Sequence, residues 1–533
     1  MEEQRPTAAR ESKTKAFLSG VSYLTVSALL VKVMGFLYRI PMLTYLGTEG
    51  MGYFNTAYEL YALFCVVSTA GLPVAMSMLI SSCETRGQGE GVRRIFRVSF
   101  LAFLGIGLVG SLLLYGFADI LAQWLKNPGA AAGMRMIAPT VLLICLSSAF
   151  RGYFQGKRSM VPTAVSQVIE ALGKLLLGVA FAAYAHGKGF ALPMIAAYAV
   201  LGLTVGTGIA VVYLWVQKMI SDRKHSVELS PMTPLDHSEK QDILLLRRLV
   251  AIALPVTLGA GVMGATKLVD VALILRRLQT TGMDASSAAS AYGCYSTLAV
   301  PLFNLLPSLT TSVSLSAVPA LSAALGEGEK GRHSAACIAL SAFRMTLAVA
   351  IPAALGLSVF AKDLLLLLFS HQPIAADQAS GWLACLGLAV PASCLITVTG
   401  AMLQAAGHPE RPVISMLIGV VVKAVTAYLL IGNPNVGMMG AAISTVACDA
   451  AIVMANLFFL SRMAPWLLPS PRQACGLFFL PGILAGISVS IAVLVRRAWA
   501  LEGALATLIS VAFVICLYGG GWLLMFNKKQ ESK

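Results

Sequence analysis

Long apolar runs separated by short polar, often basic, stretches fill the chain from Phe17 to Phe526. A helix that crosses a bilayer needs about 20 mostly apolar residues. Fourteen runs meet that length, with cores near 17–43, 54–82, 95–118, 134–154, 162–185, 190–217, 249–275, 288–322, 336–361, 381–405, 412–432, 437–460, 474–495 and 503–526. The 288–322 run is longer than one span requires and holds Pro301, Pro307 and Pro319, which predicts a tilted or broken helix. The longest polar stretch, 221–246, lies almost midway and reads as a cytoplasmic linker.

The two halves look related. Ala57, Tyr58, Tyr61 and Pro73 recur as Ala291, Tyr292, Tyr295 and Pro307, all shifted by 234 positions, and Gln155 and Lys174 recur as Gln404 and Lys423, shifted by 249. Six spans per half is an even number, so both copies insert in the same orientation and a cavity is expected between them. The expected fold is an all-α integral membrane protein of about 14 transmembrane helices, in two pseudo-symmetric six-helix bundles plus a C-terminal helix pair. Residues 1–220 would form the first bundle with a short cytoplasmic tail, 221–246 the linker, 247–463 the second bundle, and 464–533 the added pair and tail.

Composition agrees. Of 533 residues, 57% are hydrophobic and 12% charged, where a soluble chain carries about 25% charge. That leaves too few charged side chains for a globular surface and excludes a soluble enzyme, a DNA-binding protein and a secreted factor. The net charge of +15 is gathered in clusters between spans. With the N-terminus placed in the cytoplasm, 26 Lys and Arg fall on that side and 8 on the other. The excess predicts that both termini are cytoplasmic, consistent with an even number of spans. The first apolar run lacks a cleavage pattern and is expected to be retained as a span. The ten cysteines form no CxxC and read as small core residues.

Charges inside spans cost about 2.5–3.5 kcal/mol each on insertion scales, so they face a cavity, a partner or the bundle interior. They are Lys32, Arg39, Glu59, Glu170, Lys174, Lys267, Asp270, Lys423 and Asp449. Lys32 and Arg39, two turns apart, would share one face of the first helix, with no carboxylate in that helix. Glu59 is within reach of Arg39 across a helix pair, which leaves two readings: a structural salt bridge, or a basic cavity wall tuned by an acid. Glu170–Lys174 and Lys267–Asp270 have spacings that allow pairing along a helix, and Lys423 and Asp449 lie at similar depth in adjacent spans. Five cations against four acids suit an anionic substrate such as a pyrophosphate head group. The clusters Arg93/Arg94/Arg97 and Arg151/Lys157/Arg158 are expected to be topology determinants and contacts to anionic lipid, with attraction of a polyanionic substrate as the minor alternative. No GxxxxGK[ST], HExxH or GxSxG occurs, and the six histidines lie at loops or helix ends. No catalytic set, metal site or cofactor is expected.

Residues 32–81, KVMGFLYRIPMLTYLGTEGMGYFNTAYELYALFCVVSTAGLPVAMSMLIS, resemble the stage V sporulation protein B group of polysaccharide transporters. That group shares a superfamily with lipid II flippases and multidrug and toxin extrusion antiporters. Segments 150–170, 267–283 and 403–423 carry the resemblance through both halves, with YRIP and RGYFQG as its most specific parts. It implies a flippase moving undecaprenyl-pyrophosphate-linked sugars, lipid II above all, to the outer leaflet, with a role in spore cortex synthesis. By location it implies a basic head-group cavity of Lys32, Arg39 and Glu59, with Lys267 as their counterpart and Asp270 beside it. Glu170, Lys174, Lys423 and Asp449 are secondary or structural charges. Its partners would be the lipid-linked oligosaccharide, membrane lipids and the cell-wall machinery, without nucleic acid. Alternating access would be coupled to membrane potential or a cation gradient. A cation-coupled drug antiporter of the same superfamily usually has twelve spans and acidic ion sites, and a membrane sugar polymerase or ligase would need a sizeable outer loop.

Overall fold

The computed structural model describes residues 26–86, 88–226, 239–498 and 503–531, and every regular element within them is helical. By internal packing the chain forms two compact units, up to Val271 and from Ala272. The first contains α1 (Val26–Leu37), α2 (Arg39–Thr69), α3 (Leu72–Thr85), α4 (Gly89–Gly116), α5 (Ala118–Trp124), α6 (Ala131–Gly156), α7 (Val161–Gly187), α8 (Leu192–Ser226) and most of α9 (Glu239–Thr280). The second contains α10 (Ala285–Cys294), α11 (Val300–Gly326), α12 (Arg332–Val359), α13 (Ala361–Leu368), α14 (Pro373–Ala405), α15 (Glu410–Ile431), α16 (Met439–Met463), α17 (Pro471–Ala498) and α18 (Gly503–Glu531). Of the expected linker, residues 227–238 lie outside the described residues and 239–246 belong to α9.

Backbone chemistry explains where the first helices break. Pro41 has no N–H to give the Leu37 carbonyl and its ring crowds that oxygen, and the chain bends there by 43° between α1 and α2. Gly47 then adopts φ 61°, ψ −174°, a conformation open to glycine. The rings of Tyr38 and Phe54 come within 5.8 Å of each other, whereas 16 residues of straight helix would span about 24 Å. Gly47 therefore turns the chain sharply inside α2. Further on, the Thr69–Leu72 break precedes Pro73. The 288–322 run becomes α10, a π-helical turn at Tyr295–Ala299, and α11. The wide turn sits just before Pro301, which cannot continue the normal ladder.

The internal packing of the two units follows one plan. In the first, α6 is central, packed by α2, α3, α4 and α8, while α7 lies along α8. In the second, α14 is central, packed by α11, α12 and α16, while α15 lies along α16. Met76, Ile80, Phe103, Phe150 and Phe154 fill the first core, joined by Leu249 and Ala253 of α9. Leu321, Phe343, Val398, Met402 and Leu460 fill the second. The α7–α8 contact is close enough that a Cβ on Gly202 would lie 2.1 Å from the Gly178 nitrogen, the small-residue packing that membrane helices favour.

The added pair is built into the second unit. α17 packs on α12 and α18 on α13, around Phe360, Val489, Ala492 and Val514. Arg496 forks onto Asp363, with Nη2 donating to Oδ1 at 2.8 Å, and the Tyr518 hydroxyl donates to the Ala348 carbonyl at 2.7 Å.

Ten helices among the described residues are long and apolar enough to cross a bilayer, or twelve when each of two bent pairs is one span. The expected fourteen exceeds that number; the 54–82 run falls across α2 and the 14-residue α3, and the 288–322 run across the 10-residue α10 and α11. Their outer faces carry exposed Leu112, Leu176, Val212, Leu429 and Phe479, as a surface in contact with lipid chains does. This is a multi-pass membrane protein.

Candidate functional site

Within the first unit, α1, α2, α6, α7 and α8 enclose a cavity of about 550 Å³. Lys32 of α1 reaches it beside Tyr38, Tyr58 projects from α2, Arg151 from α6, and Gln167, Glu170 and Lys174 from α7. The α7 residues share a face because 167, 170 and 174 are spaced three and four apart.

The charges in this cavity are ordered by unlike partners. Arg151 Nη2 donates to Glu170 Oε2 at 2.9 Å, and its Nε donates to Ser166 Oγ at 3.0 Å. Both side chains of the pair are largely shielded, at 11% and 20% exposure. Lys174 is held by aromatic faces: its Nζ lies 4.0 Å from the Tyr58 ring centroid, 5.0 Å from Tyr38 and 5.9 Å from Phe54. An ammonium out of water gains from such ring quadrupoles. The rings supply no counter-charge, so Lys174 keeps its positive charge at the cavity for an anionic ligand. Three cations therefore line the cavity, and its one carboxylate is occupied by Arg151.

These contacts correct several expectations. Glu170 pairs with Arg151 across the α6–α7 hairpin instead of with Lys174 four residues on. Arg151 turns inward to the cavity and is more than a topology determinant. Lys32 and Arg39 do not share one straight face, since the Pro41 bend lies between α1 and α2. Lys32 lines the cavity, while Arg39, half-buried at the start of α2, lies outside its lining. Glu59 forms an ion pair with Lys267 of α9, Oε2 to Nζ 3.8 Å. Asp270 is half-buried one turn further along α9. In the second unit Lys423 is 6% exposed on α15 and Asp449 is half-buried on the adjoining α16.

Tyr38, Tyr58 and Arg151 were missed as site residues. Arg151 had a readable signal. The α6–α7 turn lies near 157–160, and in antiparallel neighbours residues at similar distances from the turn sit at similar depth, which brings 151 opposite 167–170. Among the described residues, no group of three or more His, Cys, Asp or Glu side chains is placed to hold a metal ion, and all ten cysteines are free thiols.

Two similarly packed helical units and a cation-lined cavity among the spans define a polytopic membrane protein. The chain belongs to the family described as polysaccharide biosynthesis protein, whose model matches residues 17–325. A second family model, MatE, matches residues 289–429. The chain is 26% identical over 461 residues to stage V sporulation protein B of Bacillus subtilis (strain 168), covering 85% of each chain. It is 24% identical over 496 residues to lipid II flippase MurJ of the same organism, covering 89% of this chain and 88% of that one. A solved lipid II flippase MurJ in an inward closed conformation superimposes with a TM-score of 0.72 at 14% identity, over 95% of this chain and 99% of that one. The chain is thus a multi-pass membrane protein of the polysaccharide biosynthesis protein family, similar over most of its length to a sporulation protein and to a lipid II flippase.

Proposed function

We propose that this protein carries an undecaprenyl-pyrophosphate-linked saccharide, lipid II or a related peptidoglycan or polysaccharide precursor, across the bacterial cytoplasmic membrane by alternating access. One observation carries the reading: the cavity of the first unit presents Lys32, Arg151 and Lys174 against a single carboxylate that Arg151 already engages. Arg151 and Lys174 are half-buried and Lys32 is exposed at the cavity; a half-buried cation without a carboxylate costs free energy until an anion pairs with it, and a pyrophosphate supplies that anion with oxygens for each donor. The cavity's volume falls in the range of about 300–1,000 Å³ usual for small-ligand sites. The isoprenoid tail stays in lipid while the head group enters. Both termini are cytoplasmic in this reading, following the Lys and Arg bias. Membrane potential or a cation gradient supplies the energy, and spore cortex synthesis is the process it serves.

The test is complementation of a bacterium depleted of its own lipid II flippase, with outer-leaflet lipid II measured directly. The wild-type chain should restore exposure, and Lys174→Glu, which inserts an acid among the ligand donors, should not. Correct insertion without restored exposure of lipid II or of any other undecaprenyl-linked glycan would sink the reading.

A further inference from the structure

A second basic pocket lies on the flank of the first unit, where the start of α4 meets the ends of α6 and α8. It encloses about 370 Å³. Arg93 and Arg97, one turn apart on α4, form one wall, and Lys218 of α8 forms another. Its single carboxylate, Asp222, is already satisfied: Lys218 Nζ lies 2.5 Å from Oδ2, and the Tyr153 hydroxyl donates to Oδ1 at 2.8 Å. Neither Arg93 nor Arg97 has an ion-pair partner among the described residues, whereas Arg94 between them binds Asp242 at 2.5 Å. So α4 spends one arginine on a carboxylate and leaves two guanidiniums at the pocket.

The floor is aromatic. Lys218 Nζ stands 4.4 Å from the Phe96 ring centroid, and Phe96 packs edge-on to Tyr153 at 5.3 Å. A small hydrated anion has no use for such a floor. Beyond the arginines, the same stripe of α4 continues through exposed Leu101, Leu108 and Leu112. Gly105 interrupts it, with open space within 4 Å of where its Cβ would be. Charge at the helix end, rings beneath it and an apolar furrow running inward match one chemical class.

We propose that this pocket binds an anionic glycerophospholipid, its phosphate between Arg93, Arg97 and Lys218 and an acyl chain along the Leu101–Gly105–Leu108 furrow. A bound lipid would tie α4, α6 and α8 together at the membrane surface. The site is separate from the transport cavity, and its occupancy does not depend on what the protein carries.

The test uses the full chain in nanodiscs of phosphatidylcholine with increasing phosphatidylglycerol, and native mass spectrometry to count retained phosphatidylglycerol. Wild type should retain it saturably. Arg93→Gln/Arg97→Gln should weaken retention by about tenfold or more, each surface cation near an anionic lipid contributing several-fold. Gly105→Leu, which fills the furrow and keeps every charge, should also weaken it. Arg86→Gln/Arg158→Gln removes two exposed arginines outside the pocket and should leave it unchanged. All these positions are exposed, and an unaltered size-exclusion profile verifies folding. The proposal is overturned by undiminished retention in Arg93→Gln/Arg97→Gln, or by an equal loss in the control pair. Displacement by millimolar inorganic phosphate would overturn it in favour of a soluble anion, and selective displacement by undecaprenyl pyrophosphate in favour of the transported lipid.

Discussion

The Lys174 ammonium sits 4.0 Å from the centroid of the Tyr58 ring, with Tyr38 on a further side at 5.0 Å. Rings hold a cation in place without neutralising its charge, which a carboxylate would do. A desolvated cation–π contact contributes about 2 kcal/mol. Tyr58→Leu should therefore lower the stability of the solubilised protein by about that amount, measured by denaturant titration in detergent, and should impair transport. Tyr58→Phe keeps the ring and should remain close to wild type in both.

Arg151 and Glu170 join α6 to α7 beside this cation. Exposed pairs contribute about 0–1 kcal/mol, while breaking a buried one costs about 3–5 kcal/mol. With both side chains mostly shielded, Arg151→Gln should cost an intermediate amount, about 1–3 kcal/mol. The exchange Arg151→Glu/Glu170→Arg should recover part of the stability but not of the transport, since the cation then projects from the other helix. Full recovery of lipid exposure by the exchanged pair would argue against a positional role for Arg151.

Much of this fold was readable because the bilayer fixes span length and penalises buried charge. The apolar runs marked the helices, and the intramembrane charges marked Lys32 as a cavity group; Glu170 and Lys174, expected as secondary or structural charges, line the same cavity. Partner choice was not readable in the same way. Spacing along one helix offered Lys174 to Glu170, but a hairpin brings Arg151 to the same carboxylate, with its Nε on Ser166. Lys267 meets Glu59 from another helix altogether, and no periodicity within either helix encodes that. The bend at Pro41 was visible as a proline, yet its effect, turning Arg39 away from Lys32, depends on three-dimensional direction. Aromatic partners were hidden for a different reason: Tyr38 and Tyr58 look like ordinary apolar-face residues until a cation is found above them.

The α7–α8 contact rests on backbone touching backbone. A methyl on Gly202 would meet Gly178 N at 2.1 Å and its Cα at 2.3 Å, and neither can rotate aside. Gly202→Ala should cost about 1–3 kcal/mol, the usual range for overpacking, toward its upper end. Gly187→Ala has open space around it and should be neutral. Thermal unfolding of the two variants in one detergent makes the comparison.

Asp284 caps α10 outside the spans. Ser287 and Ser286 donate to its carboxylate, the Ser286 hydroxyl at 2.7 Å, and hold its carboxyl below the usual range. A folded-state value below the unfolded one means that the cap's contribution is present above the ordinary carboxylate range. It is lost as pH falls through the folded value. Amide protection at Ser286 and Ser287 should hold at neutral pH and decline only in strong acid. Asp284→Asn should keep much of the cap and lose this pH dependence, and a protection factor that still falls in acid would assign the titration to another group.

Arg496 and Asp363 lock the C-terminal helix pair to α13 through two parallel hydrogen bonds. Such a fork is directional, and lysine cannot reproduce it. Arg496→Lys should therefore loosen the pair, although charge is conserved. Tyr518→Phe removes the hydroxyl bond to Ala348 at a cost of about 1 kcal/mol, and should add to it. Cysteines placed at Leu364 and Val493, partly buried residues of the same small core, report the docking by disulfide cross-linking. The Arg496→Lys/Tyr518→Phe protein should cross-link more slowly than wild type while its first unit keeps its protease resistance. Equal cross-linking would mean that the apolar contacts of Phe360, Val489 and Val514 hold the pair without the polar bonds.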